Sequence, residues 1–241
     1  MINQLPLENF IIIDIETVSV KEDFESLGEH WQHLWGQKVL RSLHENTTLA
    51  DYYLQRAGVM AEFAKIICIS IGYFKREAGM LQLRIKSFFE EEEGDLLQHF
   101  VQVVQQFGAV NSKWVFTGHN IKEFDIPFLC RRLIVNGLGI PSFLDFQNRK
   151  PWETNLVDTF QYWRFGDYKN YTSLQLLAAV LNIASPKDDI DGGQVGHVYW
   201  VQKDLQRIVV YCQKDVVTVA NILLRFKNQP LLEVGQVFFV P

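Results

Sequence analysis

Three short segments carry side chains able to do chemistry together. Asp14 and Glu16 follow the apolar run Phe10-Ile11-Ile12-Ile13. On a strand, residues two apart project to one face, so both carboxylates are presented together while Ile15 points away. Carboxylate oxygens suit hard divalent cations such as Mg²⁺ or Mn²⁺, and the sequence has no Cys/His cluster of the kind zinc prefers. Tyr211 and Asp215 border an apolar stripe formed by Leu205, Ile208, Val209, Cys212, Val216, Val219 and Leu223 at helical spacing. Four residues apart on a helix means about 40° around the axis, close enough to act on a shared site. The third segment, Gly118-His119-Asn120-Ile121-Lys122-Glu123-Phe124-Asp125, follows an apolar strand and opens a helix.

Taken singly, each segment has a plainer account. Asp-x-Glu is common, though its place at the end of an apolar strand is where functional groups gather in α/β sheets. Tyr211 can pack its ring inward beside a solvated Asp215. Asp125 can cap a helix whose first turn tolerates Pro127. His119 can be a base or ligand, but a lone histidine beside a strand end is more often structural; Asn120 is better placed to bond a substrate or hold a loop. The run Glu90 to Glu93 reads as a solvated loop, because neighbouring like charges repel and stay hydrated. Asp188, Asp189 and Asp191 miss the order of an EF-hand loop and read as a structural or substrate-facing segment.

The elements that must position these groups read as α/β. Residues 10–13 form a central strand covered on both faces, 66–74 a second strand, and the alternating 81–86 a third. An amphipathic helix runs to about 107, followed by a short strand at 114–117 and a helix from 125 to about 136. Residues 155–158 lead toward a helix at 174–181 capped by Ser173. A loop over 186–200 precedes a long helix at about 202–227 and a short apolar tail. Residues 21 to about 62 read as a helical insertion between strands, and no repeat or linker divides 1–241, so a single domain is expected.

Bulk properties set limits. With 48% apolar and 21% charged residues the chain is globular rather than disordered. Cys68, Cys130 and Cys212 sit in apolar runs and are expected to be reduced thiols of a cytoplasmic protein. No stretch approaches the roughly 18 apolar residues a membrane helix needs, and the start has no signal-peptide pattern. The net charge of −5 gives no global attraction to phosphates. Arg131, Arg132, Arg149, Lys150, Arg164 and Lys169 can track a phosphate backbone or simply solubilise the surface.

In order, Phe-Ile-Ile-Ile-Asp14-Ile-Glu16-Thr17, Gly-His-Asn120-Ile-Lys-Glu-Phe124-Asp125 and Tyr211-Cys-Gln-Lys-Asp215 resemble the three exonuclease motifs of the DEDD superfamily, in its tyrosine subgroup. The chain resembles the proofreading domain of family B DNA polymerases and the stand-alone bacterial exonucleases similar to it. The likeness extends to Ala64–Gly72, Asn170–Leu174 and Asp191–Val195.

The resemblance implies an RNase H-like fold with a mixed five-stranded sheet flanked by helices. It implies a 3′–5′ exonuclease that uses two divalent cations, Mg²⁺ or Mn²⁺, held by Asp14, Glu16, Asp125 and Asp215, and yields nucleoside 5′-monophosphates. Tyr211 would orient the water and scissile phosphate, since a phenol with a reference pKa of about 10 is a poor general base at neutral pH. Thr17, Asn120 and Phe124 would contact the terminal nucleotide, and Leu174 would be a wedge or a core leucine. The expected substrate is the 3′ end of single-stranded DNA or RNA, DNA favoured, with any polymerase or repair partner on a separate chain. An RNA-processing exonuclease of the same superfamily and a catalytically silent nucleic-acid-binding module are the alternatives.

Overall fold

The computed structural model describes residues 2–110, 113–150, 153–184 and 190–241. Its frame is a mixed sheet of β1 (Phe10–Ser19), β2 (Ala64–Glu77), β3 (Met80–Phe88), β4 (Val115–Gly118), β5 (Leu156–Asp158) and β6 (Val237–Phe239), in the order β5-β4-β1-β2-β3-β6. β1 runs antiparallel to β2 and parallel to β4, while β4 and β5 are parallel. Six strands therefore replace the expected five. The extra one comes from the apolar tail, where three residues pair with Leu83–Ile85 of β3; so short an edge strand carries too little alternation to be recognised as a period.

The alternation within β1 decides which side chains reach which layer. Ile11, Ile13 and Ile15 pack with Leu96, Phe100 and Val104 of α3 (Glu93–Val110) and with Ile126 and Leu129 of α4 (Asp125–Val135). Phe10 and Ile12 face the other way, against Val216, Val219 and Leu223 of a long C-terminal helix (Leu205–Phe226). Asp14 and Glu16 continue that second face beyond its apolar part. The approach there is close: a Cβ added to Gly72 of β2 would lie 2.6 Å from Val216 Cγ1.

The expected insertion contains α1 (Glu29–Val39) and α2 (Leu49–Arg56), the latter opened by a capping box between Thr48 and Asp51. Trp35, Tyr53 and Phe63 are buried together between them, and the Trp35 indole N–H donates to the Leu49 carbonyl at 3.0 Å. Helix α6 (Leu174–Val180) starts under the side chain of Ser173, as expected, and α5 (Thr159–Trp163), which was not expected, starts under that of Asp158. Where a loop was expected over 186–200, residues 195–202 are helical, as α7 (Val195–His197) and a π-helical turn (Val198–Gln202). Gly192, Gly193 and Gly196 hide this in the sequence, because burial of Val195 and Val198 against Val18, Ile67 and Ile208 overrides their low propensity. The long helix Leu205–Phe226 is α8. Asp188 and Asp189 lie outside the described residues.

Two expectations about charge are corrected. Glu93 is not solvated: its carboxylate accepts from Arg132 Nη2 at 2.6 Å and Nε at 2.9 Å, from Asn136 and from the Ile66 N–H. Arg132 is accordingly buried in that pair, and its third bond reaches the Ala61 carbonyl, so it cannot track a phosphate backbone.

Candidate active site

The carboxyl ends of β4 and β5, at Gly118 and Asp158, lie level with the middle of β1, and the candidate residues collect there. Asp14 and Glu16 were expected to follow the strand but lie midway along β1, which pairs with β2 as far as Ser19 and shifts register between Glu16 and Thr17. Such bulges bend a strand and re-aim its side chains. From α8, Cys212 points its thiol at the Asp14 carbonyl at 3.5 Å, which draws the neighbouring Tyr211 and Asp215 to the same edge. One ligand atom each from Asp14, Glu16 and Cys212 all lie within 4.8 Å of one another.

Asp125 does not cap α4 as expected. It is the first helical residue, behind Phe124, and its Oδ1 accepts the backbone N–H of Ile15 at 3.3 Å. The carboxylate is thus turned toward β1 rather than along its own helix.

The electrostatics follow from this convergence. Burial first, then the charges of Asp215 and Asp125, push the Asp14 carboxyl well above the usual carboxylate range, and a hydrogen bond from Cys212 only partly opposes them. Glu16 is pushed up likewise by burial, then by Asp14 and Asp215. Asp125 is pushed up to about 7, chiefly by burial, with Asp158 and Asp215 adding to it and accepted N–H bonds working the other way. Asp14 Oδ2 is buried with no hydrogen-bond partner. Acids held this close, one with an unsatisfied oxygen, fit a divalent cation, which supplies the missing positive charge and ligand. Sulfur is the poorer donor here, since burial and the adjacent Cys68 push the Cys212 thiol well up.

The other predicted residues divide. His119 is structural: its ring nitrogens meet Thr172 O at 2.8 Å and Thr159 Oγ1 at 3.1 Å, and burial lowers its pKa. Asn120 adopts φ 64° and leaves its side-chain oxygen buried without a partner. Phe124 packs on Phe128 at 5.4 Å and lines a cleft of about 620 Å³ next to Glu16. Thr17 lines the same cleft, its hydroxyl donating to the Gly58 carbonyl at 2.6 Å. Leu174 is partly buried between two apolar clusters, packing on Leu177 and Ile222 on one side and Val216 and Leu223 on the other.

Sequence reasoning missed two contributors. Leu54, Gln55, Gly58 and Val59 of the insertion form one wall of the cleft, and Trp200 and Val201 contribute to another. Asp158 organises the loop before Asp125, accepting the N–H groups of Asn120 at 3.0 Å and Lys122 at 3.1 Å while capping α5. Its position at the end of Leu156-Val157-Asp158 was the available signal.

A mixed sheet of RNase H-like type with acidic groups at its strand ends is the architecture of an exonuclease domain. The chain belongs to the family described as predicted 3′–5′ exonuclease related to the exonuclease domain of PolB, whose match spans residues 59–230. It is thus an enzyme, a 3′–5′ exonuclease acting on nucleic acid, and domains of this kind use divalent metal ions. Asp125, Tyr211 and Asp215 fall within the match, whereas Asp14 and Glu16 precede it. In fold it is similar to the family B DNA polymerase from the hyperthermophilic archaeon Pyrobaculum calidifontis, with a TM-score of 0.50 and 15% identity, over 96% of this chain and 28% of that one. The chain thus spans little more than a quarter of the polymerase. No curated protein sequence matches significantly.

Proposed function

We propose that the protein hydrolyses the terminal phosphodiester bond at the 3′ end of single-stranded nucleic acid, DNA in preference to RNA, with two Mg²⁺ or Mn²⁺ ions, releasing nucleoside 5′-monophosphates. The observation that carries this reading is the convergence of half-buried Asp14 with buried Glu16 and Asp125 near Asp215, with Asp14 Oδ2 buried and without a hydrogen-bond partner, a charge arrangement that cations relieve.

Asp14, Glu16, Asp125 and Asp215 would hold the ions. Bound there, such ions supply Lewis acidity to the scissile phosphate and lower the pKa of water. Tyr211 orients the attacking water and the phosphate through its hydroxyl. Phe124 offers a ring face to the terminal base, and Asn120 offers its unpartnered carbonyl oxygen to a donor on the nucleotide. The cleft beside Glu16 accepts the sugar and base, because Glu22 and Asp23 on its wall repel further phosphates. Residues 1–241 act as one domain in this reading, in the cytoplasm, where the three free thiols stay reduced.

The test is digestion of 3′-labelled and 5′-labelled single-stranded DNA and RNA with either ion, against Asp14→Ala and a chelator. A ladder shortening from the 3′ end, abolished in both controls, is expected. Intact oligonucleotides in the presence of folded, metal-supplemented protein would sink the proposal.

A further inference from the structure

The segment that joins α5 to α6 presents aromatic rings to solvent at an unusual density. Phe165, Tyr168 and Tyr171 are 84%, 76% and 65% exposed within seven residues. Large apolar groups clustered on a surface mark an interaction site, whereas scattered ones do not. The segment is not loose. The Asp167 N–H donates to the Arg164 carbonyl at 2.8 Å, and the Asp167 carboxylate accepts from the Lys169 N–H and the Asn170 amide. Phe165 is held at φ 45°, a conformation costly for a bulky side chain and found where surroundings impose it.

The rings lead away from the candidate active site. Tyr171 packs on Phe160 at 5.1 Å, Phe160 packs on His119 at 5.7 Å, and the Thr172 carbonyl meets the His119 ring. Tyr171 therefore stands beside the loop that ends in Asp125, and the charges of Asp125 and Asp158, after burial, raise its hydroxyl pKa. Farther out, the Arg164 guanidinium lies 4.2 Å over the Tyr168 ring and 5.3 Å from that of Phe160. Lys122 adds a second cation close enough for Arg164 to depress its pKa, behind burial as the main cause. Lys169 follows on the exposed side.

We infer that Tyr171, Tyr168 and Phe165, with Arg164, Lys122 and Lys169, form a stacking track that holds the bases and phosphates upstream of the scissile nucleotide on a single strand. Aromatic faces interleaved with cations are what an unpaired polynucleotide binds, irrespective of base sequence. The Arg164 side chain is 15% exposed and pairs with Glu123 at 3.7 Å, so it steadies the Tyr168 ring. Phosphate contacts fall to Lys122 and Lys169, which matter because the molecule as a whole, at −5, repels the substrate. This inference rests on the nuclease reading above and extends it from the terminal nucleotide to the strand behind it.

The test compares chain lengths. For wild type, Tyr168→Ala, Phe165→Ala and the double variant, kcat/KM is measured on two-nucleotide and ten-nucleotide single strands of DNA and of RNA. The ten-to-two ratio is expected to fall about 10-fold for each ring removed, with Tyr168→Trp retaining it. In parallel, anisotropy of labelled ten-nucleotide strands on the Asp14→Asn protein reports binding without cleavage, and 2-aminopurine three nucleotides from the 3′ end reports stacking by its quenching. An unchanged ratio and unchanged quenching in the double variant would overturn the track, with cleavage intact. Absence of cleavage by wild type, with anisotropy still lowered by ring removal, would overturn the nuclease reading and leave the track standing.

Discussion

The carboxylate of Asp125, at the first turn of α4, accepts the backbone N–H of Ile15 in the middle of β1, 110 positions earlier in the chain. One bond therefore fixes the spacing between two of the acidic segments. A carboxyl used this way is buried and lies near other acids, which is why its pKa rises to about 7 from 3.8. A raised carboxyl pKa in the folded state stabilises the protein fully below the unfolded value and is lost as pH rises through the folded one. In chelator, the protein should accordingly become less stable as pH climbs from about 4 to about 8. The ceiling from Asp125 alone is on the order of 4 kcal/mol, at about 1.36 kcal/mol per pH unit. His119 acts oppositely, since its lowered pKa costs stability as pH falls below 6.5. Comparing wild type with Asp125→Asn isolates the carboxyl: the stability difference between them should grow in the variant's favour with pH. A difference independent of pH across that window would contradict the assignment.

Asp14 lies where removing a charge helps the fold and harms the chemistry. Its carboxylate is crowded by Asp215 and Asp125 and has an unsatisfied buried oxygen. Asp14→Asn should raise the metal-free melting temperature by a few degrees at pH 8, consistent with about 1 kcal/mol in a domain of this size. The same change should abolish the stabilisation that millimolar Mn²⁺ gives wild type and lower kcat by about three orders of magnitude. Melting curves with and without Mn²⁺, alongside a single-turnover assay, decide it. Retained stabilisation by Mn²⁺ in the variant would remove Asp14 from the metal site.

How much of this was legible in the chain depended on how local its causes were. The strand at Phe10–Ile13, the stripe on α8 and the cap at Ser173 are local patterns, and the acids sit on the first two at regular spacing. Membership of the exonuclease family followed from the order of those motifs. The insertion's place on the cleft was hidden, because long-range links such as the Thr17–Gly58 bond, the Val20–Phe63 backbone bond and the pairing of Ser19 with Ala64 bring it there. Glu93 looked like one solvated acid among four, since its partner Arg132 is 39 residues away. The turn at 195–202 was masked by glycines whose poor propensity tertiary burial outweighs.

That Glu93–Arg132 pair is a second test of the packing. Both side chains are under 10% exposed, and together they tie α3, α4, β2 and the Ala61 carbonyl. Breaking a buried pair leaves one uncompensated charge, so Arg132→Ala should cost about 3–5 kcal/mol in urea denaturation. Replacing both partners, as Arg132→Met with Glu93→Leu, should recover much of that loss. If the double variant is no more stable than the single ones, the pair is not the source of the cost.

Gly118 offers the sharpest test of how the strand ends set the site. It closes β4 alongside β1, and a Cβ there would fall 2.7 Å from the Ile13 carbonyl oxygen and 2.2 Å from Ile121 Cγ2. Ile121 can turn its side chain, but the Ile13 carbonyl belongs to the backbone that presents Asp14. Gly118→Ala must therefore move β4 away from β1 by several tenths of an ångström and carry Asn120 and Asp125 with it. Overpacking of this kind costs about 1–3 kcal/mol of stability. The catalytic loss should be larger, about 100-fold in kcat at saturating metal, because displacements on that scale disrupt reacting geometry. Asp125 should also lose its bond to Ile15, which amide hydrogen exchange at Ile15 would register as faster exchange. A stable variant with near-wild-type kcat and unchanged exchange at Ile15 would show that the approach of β4 to β1 does not set the spacing of the acids.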